Sequence, residues 1–558
     1  MTVYLLTYLT VLLMAYPLGK YISNAMQGDK HLGVERGLYK LMGVRPEQNM
    51  NWKTYGLHLL LSNLILAVIA YLIFVFQGVL PLNPDGISSM RWDLALHTAA
   101  SFITNTNQQH YSGQNALSYL SQMMGIVSLQ FITPAVGLAL LFAILRLLKG
   151  GHGEEVNGLK SLGNYHVDVT RAMVRILLPL SFVFALILVW QGVPSTLQGA
   201  VTATTLEGVK QVIPVGPVAA LEAIKQLGTN GGGWFGPNAT HPFENPTGLT
   251  NLLSTIALFL IPTALVFSLG EVLKQRKLSL ITLGVMVTLS LAGSIPLYLL
   301  EKAPNRAFAG LAQSAANWEG KETRLGIEAS ALWAALTTQT SNGSVNAMHD
   351  SLNPLAGMIP QINMFLNDIF GGIGVGLVNY LLFVVLTVFI AGLMVGRTPE
   401  LFGRKLEARE IQLASLAILL QPFLILTFTA LTLSNPSLSA NSNPAYHGIS
   451  QVLYEYNSAY ANNGSGFEGL GDNTSWWNIT CSVVLILARF LPMLIPLAIA
   501  GILAQKIPAP VTSGTLRIDT PVFALTLISV MVLLQLLNFL PALTLGHIAD
   551  ALTSGGLK

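Results

Sequence analysis

Gly228-Thr229-Asn230-Gly231-Gly232-Gly233 is a short polar run. It follows an amphipathic stretch of about ten residues and lies between two apolar stretches, 173 to 192 and 249 to 270, each long enough to cross a bilayer. Taken alone, an Asn-Gly pair reads as an external turn. The same order recurs three more times, at Thr104-Asn105-Thr106-Asn107, Thr340-Ser341-Asn342-Gly343-Ser344 and Ala461-Asn462-Asn463-Gly464-Ser465. Asn107 to Asn230 is 123 residues, Asn230 to Asn342 is 112 and Asn342 to Asn463 is 121. A period near 120 repeated four times indicates internal duplication. Each unit reads as span, re-entrant pore helix, polar loop, span. Irregular backbone at membrane depth is tolerated only where it lines a cavity or is buried in protein, so the four loops are expected to converge on one axis.

The whole chain supports a membrane reading. Its 558 residues are 52% hydrophobic and 10% charged, against about 25% charged in soluble domains, which excludes a soluble enzyme. Besides a first span from Thr2 to about Leu18, spans are expected near 57 to 84, 125 to 147, 173 to 192, 249 to 270, 279 to 300, 355 to 395, 413 to 433, 476 to 503 and 521 to 543. The first span has no basic residue before it and meets its first charge at Lys20, so it is read as retained rather than cleaved. Of the 29 Lys and Arg residues, 20 fall in one set of alternate loops and eight in the other, with Arg489 inside a span. The positive-inside bias therefore puts both termini outside. A net charge of +3 is too small to suggest nucleic acid, and the single cysteine, Cys481, excludes an internal disulfide framework and cannot by itself form a thiolate metal cluster.

Four converging loops of Gly, Asn, Thr and Ser suit the capture of a monovalent cation. Their carbonyl oxygens can replace its water shell, and the partial negative charge at each pore helix C-terminus favours a cation there. The expected ion-binding residues are Thr104, Asn105, Thr106, Asn107, Thr229, Asn230, Gly231, Gly232, Ser341, Asn342, Gly343, Asn462, Asn463 and Gly464, flanked by Gln109, Asn238, Ser344 and Ser465.

The seventh apolar stretch, 355 to 395, would measure roughly 60 Å as one helix, twice the hydrocarbon core, and must be broken. The break is expected at Phe370-Gly371-Gly372-Ile373-Gly374-Val375-Gly376, because each glycine lowers helix propensity by about 1 kcal/mol. Gly371, Gly372, Gly374 and Gly376 are thus candidate gate residues, the bland alternative being a packing notch of small residues. Arg489 lies between Leu487 and Pro492 in the ninth span and needs a partner inside the protein. Asp368 is the candidate, as a functional pair beneath the loops or as a structural salt bridge.

These motifs identify a resemblance. Thr104 to Asn107, Leu227 to Gly233 with His241-Pro242-Phe243-Glu244-Asn245-Pro246, Ala347-Met348-His349-Asp350-Ser351, Gly396-Arg397-Thr398-Pro399-Glu400 and Asn462-Asn463-Gly464-Ser465 resemble, along the whole chain, the KdpA family of bacterial Kdp-type potassium-pumping ATPases. The first loop departs from the family's usual Trp-Gln by continuing Gln108-Gln109, the second continues Trp234-Phe235-Gly236, and the third lies at the least uniform family position. The resemblance implies the potassium-transporter superfamily that includes Trk and Ktr proteins. It also implies a potassium selectivity filter at the four runs, a plasma-membrane location, and a complex with an ATP-hydrolysing KdpB-like subunit and small KdpC-like and KdpF-like subunits. Potassium is then the transported ion, with no organic cofactor and ATP bound only by the partner.

The expected fold is an all-α polytopic membrane protein with ten spans, four repeats around one pore, and one extra helix at each end. Residues 1–55 hold the first span and a loop, 56–150, 151–272, 273–396 and 397–505 the four repeats, and 506–558 a loop and the last span. Gly231 to Gly236 and Gly464 to Gly469 both fit G-x-G-x-x-G but follow no strand, so dinucleotide binding is not expected. No nucleotide-binding P-loop, H-E-x-x-H zinc motif or Asp-Lys-Thr-Gly phosphorylation site occurs. His241 and His349 are read as loop-fixing hydrogen bonders, because two isolated histidines lack a metal's usual shell. A Trk-like or Ktr-like passive or gradient-coupled channel would share the repeat but have only eight core spans or different extensions. A membrane enzyme acting on lipid phosphates would need convergent acidic or His residues, where the spans supply essentially one carboxylate, Asp368.

Overall fold

The computed structural model describes residues 1–305, 315–443, 445–510 and 516–553. Arg306 and Lys558, counted above on the sparsely basic side, lie outside the described residues. Among the described residues, ten helices are long and apolar enough to cross a membrane: Thr2–Gln27, Trp52–Val79, Ser121–Lys149, Tyr165–Trp190, Gly248–Leu273, Arg276–Glu301, Val375–Val395, Ala408–Leu433, Ser475–Gln505 and Pro521–Thr553. The only strands described form two short antiparallel hairpins, Val201–Thr204 with Lys210–Ile213 and Glu400–Leu401 with Arg404–Lys405.

Polar caps move several helix ends away from the hydropathy limits. Asn51 accepts from the backbone N–H groups of Lys53 and Thr54, so the second span starts at Trp52 and the 55/56 boundary cuts its first turn. Satisfying such orphan N–H groups stabilises a helix start by about 1 kcal/mol. The first span continues past Lys20 to Gln27, as a long lysine stem allows.

Four short helices alternate with the spans: Trp92–Ile103, Val218–Leu227, Gly326–Gln339 and Ala445–Tyr460. Each ends where one of the four polar runs begins, so the pattern of span, pore helix, loop and span holds in all four units. Burial separates the two spans of each unit. The third and fifth spans are 89% and 83% buried along their apolar stretch, whereas the second and fourth, their partners in the first two units, are 22% and 33% buried. The helix that follows each loop therefore lines the interior, and apolar side chains of the outer spans face lipid.

The seventh stretch is broken as its length demands. Pro354–Leu366 ends at Asn367, and Val375–Val395 begins after Gly374. Phe370, Gly371 and Gly374 adopt positive φ values of 68°, 61° and 76°. The first span packs along the fifth, where a Cβ at Gly19 would fall on the carbonyl oxygen of Ala264. The tenth span packs against the broken segment through Phe365 and Phe539, stacked at 3.8 Å.

Candidate functional site

The four polar loops share one backbone. In each, the second and fourth residues are left-handed: Asn105 and Asn107, Thr229 and Gly231, Ser341 and Gly343, Asn462 and Gly464. This sets the register of the repeat. Thr106, not Asn107, is the counterpart of Asn230, Asn342 and Asn463, so the first interval is 124 residues, not 123. The shift was hidden because the first run carries Thr at its third position and Asn at its second and fourth.

The N–H groups of the loops point back to the pore helices. Thr106, Asn230, Asn342 and Asn463 donate to the carbonyls of Ser101, Lys225, Thr337 and Ser458 at 3.1, 2.9, 2.9 and 3.0 Å. Adjacent units are laced by side-chain amides: Asn342 Nδ2 donates to Lys225 O at 3.0 Å and Asn463 Nδ2 to Thr337 O at 2.8 Å. The carbonyl oxygens of Thr106, Asn230, Asn342 and Asn463 accept no hydrogen bond among the described residues. They also succeed one another around a ring. A Cβ at Gly231 would fall on Asn342 O, one at Gly343 on Asn463 O, and one at Gly464 on Thr106 O. Gly232 closes the circle, with space for a Cβ limited by Asn107 and Phe102 at 3.0 and 3.1 Å. Buried carbonyls left without donors are rare, and four of them at the C-terminal ends of four helices make a partly negative, donor-free lining.

The flanking residues predicted from sequence hold the outer limbs. Gln109 accepts from Gly233 N at 2.8 Å and donates to Gly233 O at 3.2 Å. Asn238 Nδ2 donates to Gly231 O at 2.8 Å. Ser344 Oγ donates to Gln226 Oε1 at 3.0 Å and Ser465 Oγ to Asn463 Oδ1 at 2.5 Å. His349 bonds Tyr454 through Nδ1 at 2.9 Å, and His241 Nδ1 accepts from Phe243 N at 3.1 Å, the loop-fixing roles expected of them.

Sequence reasoning missed the charged brace of the second loop. Lys225, fully buried on the second pore helix, donates to Glu244 and to Asn238 Oδ1 at 2.8 Å and forms an ion pair with Glu222 at 2.6 Å. The i,i+3 spacing of Glu222 and Lys225 was the available signal. It missed equally the residues above the first loop, where Gln108 Nε2 donates to Glu455 and a cavity of about 300 Å³ is lined by Gln108, His110, Glu455 and Asp472. Burial lowers the pKa of His110, but Asp472 and Glu455 outweigh it and hold the imidazole up to about 9.

Beneath the ring lies a cavity of about 50 Å³ lined by Asn105, Ser341, Asn462, Gly372, Gly376 and Arg489, among others. The broken segment forms part of its wall: Ile373 N donates to Thr229 Oγ1 at 3.1 Å and Gly371 N to Gln339 O at 2.8 Å. Arg489 and Asp368 do not pair. Arg489 donates to the carbonyl of Thr133 at 3.5 Å, whose Oγ1 donates to Asn105 Oδ1 at 2.8 Å, and both carboxylate oxygens of Asp368 are buried without a partner. The pairing expected from sequence is thus corrected: helix rotation turns the guanidinium toward the third span and the cavity, a choice no local pattern records.

Comparison with known proteins agrees with this architecture. Residues 5–552 match the family described as KdpA, potassium-transporting ATPase A subunit. The chain is 48% identical over 558 residues to a potassium-transporting ATPase potassium-binding subunit of Alicyclobacillus acidocaldarius, covering 99% of this chain and 98% of that protein. Its fold is similar to that of the potassium transporter TrkH from Vibrio parahaemolyticus, with a TM-score of 0.53 at 12% identity over 86% of this chain and 96% of that one. A match along nearly the whole length, to a relative almost half identical, places this chain in the KdpA family of potassium-transporting ATPase A subunits.

Proposed function

We propose that this chain binds potassium in the ring of four loops and translocates it as one subunit of an ATP-driven import complex. The observation that carries this reading is the ring of four buried carbonyls without donors, with the loop N–H groups tied back to the pore helices. Such carbonyls replace an ion's water, and neutral ligands suit a monovalent cation. The same reading makes Thr104 to Asn107, Thr229 to Gly232, Ser341 to Gly343 and Asn462 to Gly464 the filter.

Below it, Arg489 is a fixed positive charge beside the 50 Å³ cavity, where it opposes free passage of cations. Gly371, Gly372, Gly374 and Gly376 shape a gate segment whose backbone meets the second loop and the end of the third pore helix. Asp368, buried nearby without a partner, belongs to the same region. Hydrolysis of ATP falls to a KdpB-like partner, with KdpC-like and KdpF-like subunits completing the complex. The basic-residue asymmetry supports an orientation with the filter mouth and both termini on the extracytoplasmic side of the bacterial plasma membrane.

ATP hydrolysis by the complex purified in mild detergent, titrated with potassium and then sodium, tests the reading. Potassium-stimulated hydrolysis that weakens in Gly232→Asp supports it. Potassium flux down its gradient in liposomes, with no ATPase partner, replaces it with the passive channel reading.

A further inference from the structure

His110 lies three residues beyond Asn107, buried and stacked on His97 at a ring separation of 3.7 Å. Its Nδ1 is 2.7 Å from Oδ1 of Asn478, and Nδ2 of that amide donates to Asp93 Oδ2 at 3.1 Å. Because the amide nitrogen is committed to a carboxylate, its oxygen is the acceptor and His110 Nδ1 is the donor. His110 Nε2 is left to face Glu455 Oε1 at 3.3 Å and Asp472 Oδ2 at 4.0 Å. The thiol of Cys481 joins them: one ligand atom each from His110, Glu455 and Cys481 lie within 4.8 Å of one another, all three residues buried.

Imidazole nitrogen, thiolate sulfur and carboxylate oxygen are the ligand types of zinc, at bond lengths of about 2.0–2.3 Å. A histidine whose second nitrogen donates to a carbonyl oxygen is the orienting pattern of zinc ligands, and Asn478 supplies it. The 300 Å³ cavity lined by His110, Glu455 and Asp472 provides the way in.

We propose that His110, Glu455 and Cys481, with Asp472 as fourth ligand, form a site for a thiophilic divalent cation of the zinc type, entered from the face that carries the loop mouths. On binding, the proton of His110 Nε2 and that of the Cys481 thiol leave to solvent and the metal takes their places. Glu455 Oε1 also accepts from Gln108, the residue after Asn107, so a bound metal draws on the first loop. That consequence, unlike the site itself, rests on the potassium reading.

The test is titration of the chelator-treated native complex with Co²⁺, followed by absorption spectroscopy. The expected result is one equivalent bound with a thiolate-to-cobalt charge-transfer band, displaced by Zn²⁺ and absent in Cys481→Ser and His110→Asn. Asn478→Ala should weaken binding by roughly 10–100-fold. A cobalt spectrum without a thiolate band, or one identical in Cys481→Ser, overturns the site and leaves a His110–Glu455 ion pair. Should neither variant assemble, X-ray absorption of the zinc-loaded wild-type complex decides: a metal-bound sulfur supports the site and purely nitrogen and oxygen ligation removes it. Zn²⁺ should also raise the potassium concentration needed for half-stimulation in wild type but not in Cys481→Ser. If potassium fails to stimulate hydrolysis at all, the potassium reading falls while the spectrum still decides the metal site.

Discussion

Asn463 Nδ2 donates to the carbonyl oxygen of Thr337 at 2.8 Å, joining the fourth loop to the third pore helix across 126 residues of sequence. Asn342 repeats the contact on Lys225, so the ring is laced unit to unit by asparagine amides. Asn463→Leu removes the donor while leaving an apolar side chain of similar size. It should destabilise the loop by about 1–3 kcal/mol, the cost of a buried hydrogen bond left unmade. The potassium dependence of ATP hydrolysis checks this: half-stimulation should move to higher potassium, with sodium discrimination reduced.

The fourth position of each loop is left-handed, and a side chain there meets the neighbouring loop's carbonyl except at Asn107, which accepts from Gln130 Nε2 at 2.8 Å. Gly343→Ala should abolish potassium-stimulated hydrolysis, because left-handed strain of about 1–2 kcal/mol adds to overlap with Asn463 O. Asn107→Gly should retain activity with modestly altered affinity. Equal damage in the two variants would show that loss of shape at this position, rather than overlap, is what matters.

Within the broken segment the four glycines are not equivalent. A Cβ at Gly371, Gly374 or Gly376 would fall on neighbouring backbone, whereas one at Gly372 makes only ordinary contacts, the nearest with Ser341 Cβ at 3.6 Å. Transport assays in liposomes should find Gly372→Ala active and Gly374→Ala inactive.

Lys225→Met strips the ammonium from between Glu222 and Glu244, all three side chains being inaccessible to solvent. Leaving buried carboxylates uncompensated costs about 3–5 kcal/mol. The melting temperature of the purified protein should drop sharply, and Glu222→Gln combined with Lys225→Met should recover part of it.

His447 is clamped between Asp350 at 2.8 Å and Asp550 at 3.0 Å, near the ring of Phe467 and beyond it His547. Burial lowers its pKa, but the two carboxylates prevail and raise it to about 9 from an ordinary 6.5. A raised pKa in the folded state means the clamp contributes fully below pH 6.5 and is lost as pH rises through about 9. Thermal melts should show stability falling across that window in wild type and a flatter profile in His447→Gln.

Charge exchange tests the separation of Arg489 and Asp368. Because Arg489 is turned to Thr133 and the two do not pair, Arg489→Asp with Asp368→Arg should recover no activity over either single variant.

The ten spans, the four repeats and the break near Gly371 were legible because each depends on residues close in sequence. Hydropathy over a window sets a span, a polar run ends a pore helix, and 40 apolar residues cannot cross a bilayer as one helix. Tertiary structure alone decided that Thr106 aligns with Asn230, that Arg489 meets Thr133 rather than Asp368, and that His110, Glu455 and Cys481 converge. These depend on how helices hundreds of residues apart rotate against one another. A side chain's hydropathy records that it is buried, whereas its partner is chosen by the packing of whole helices around a common axis.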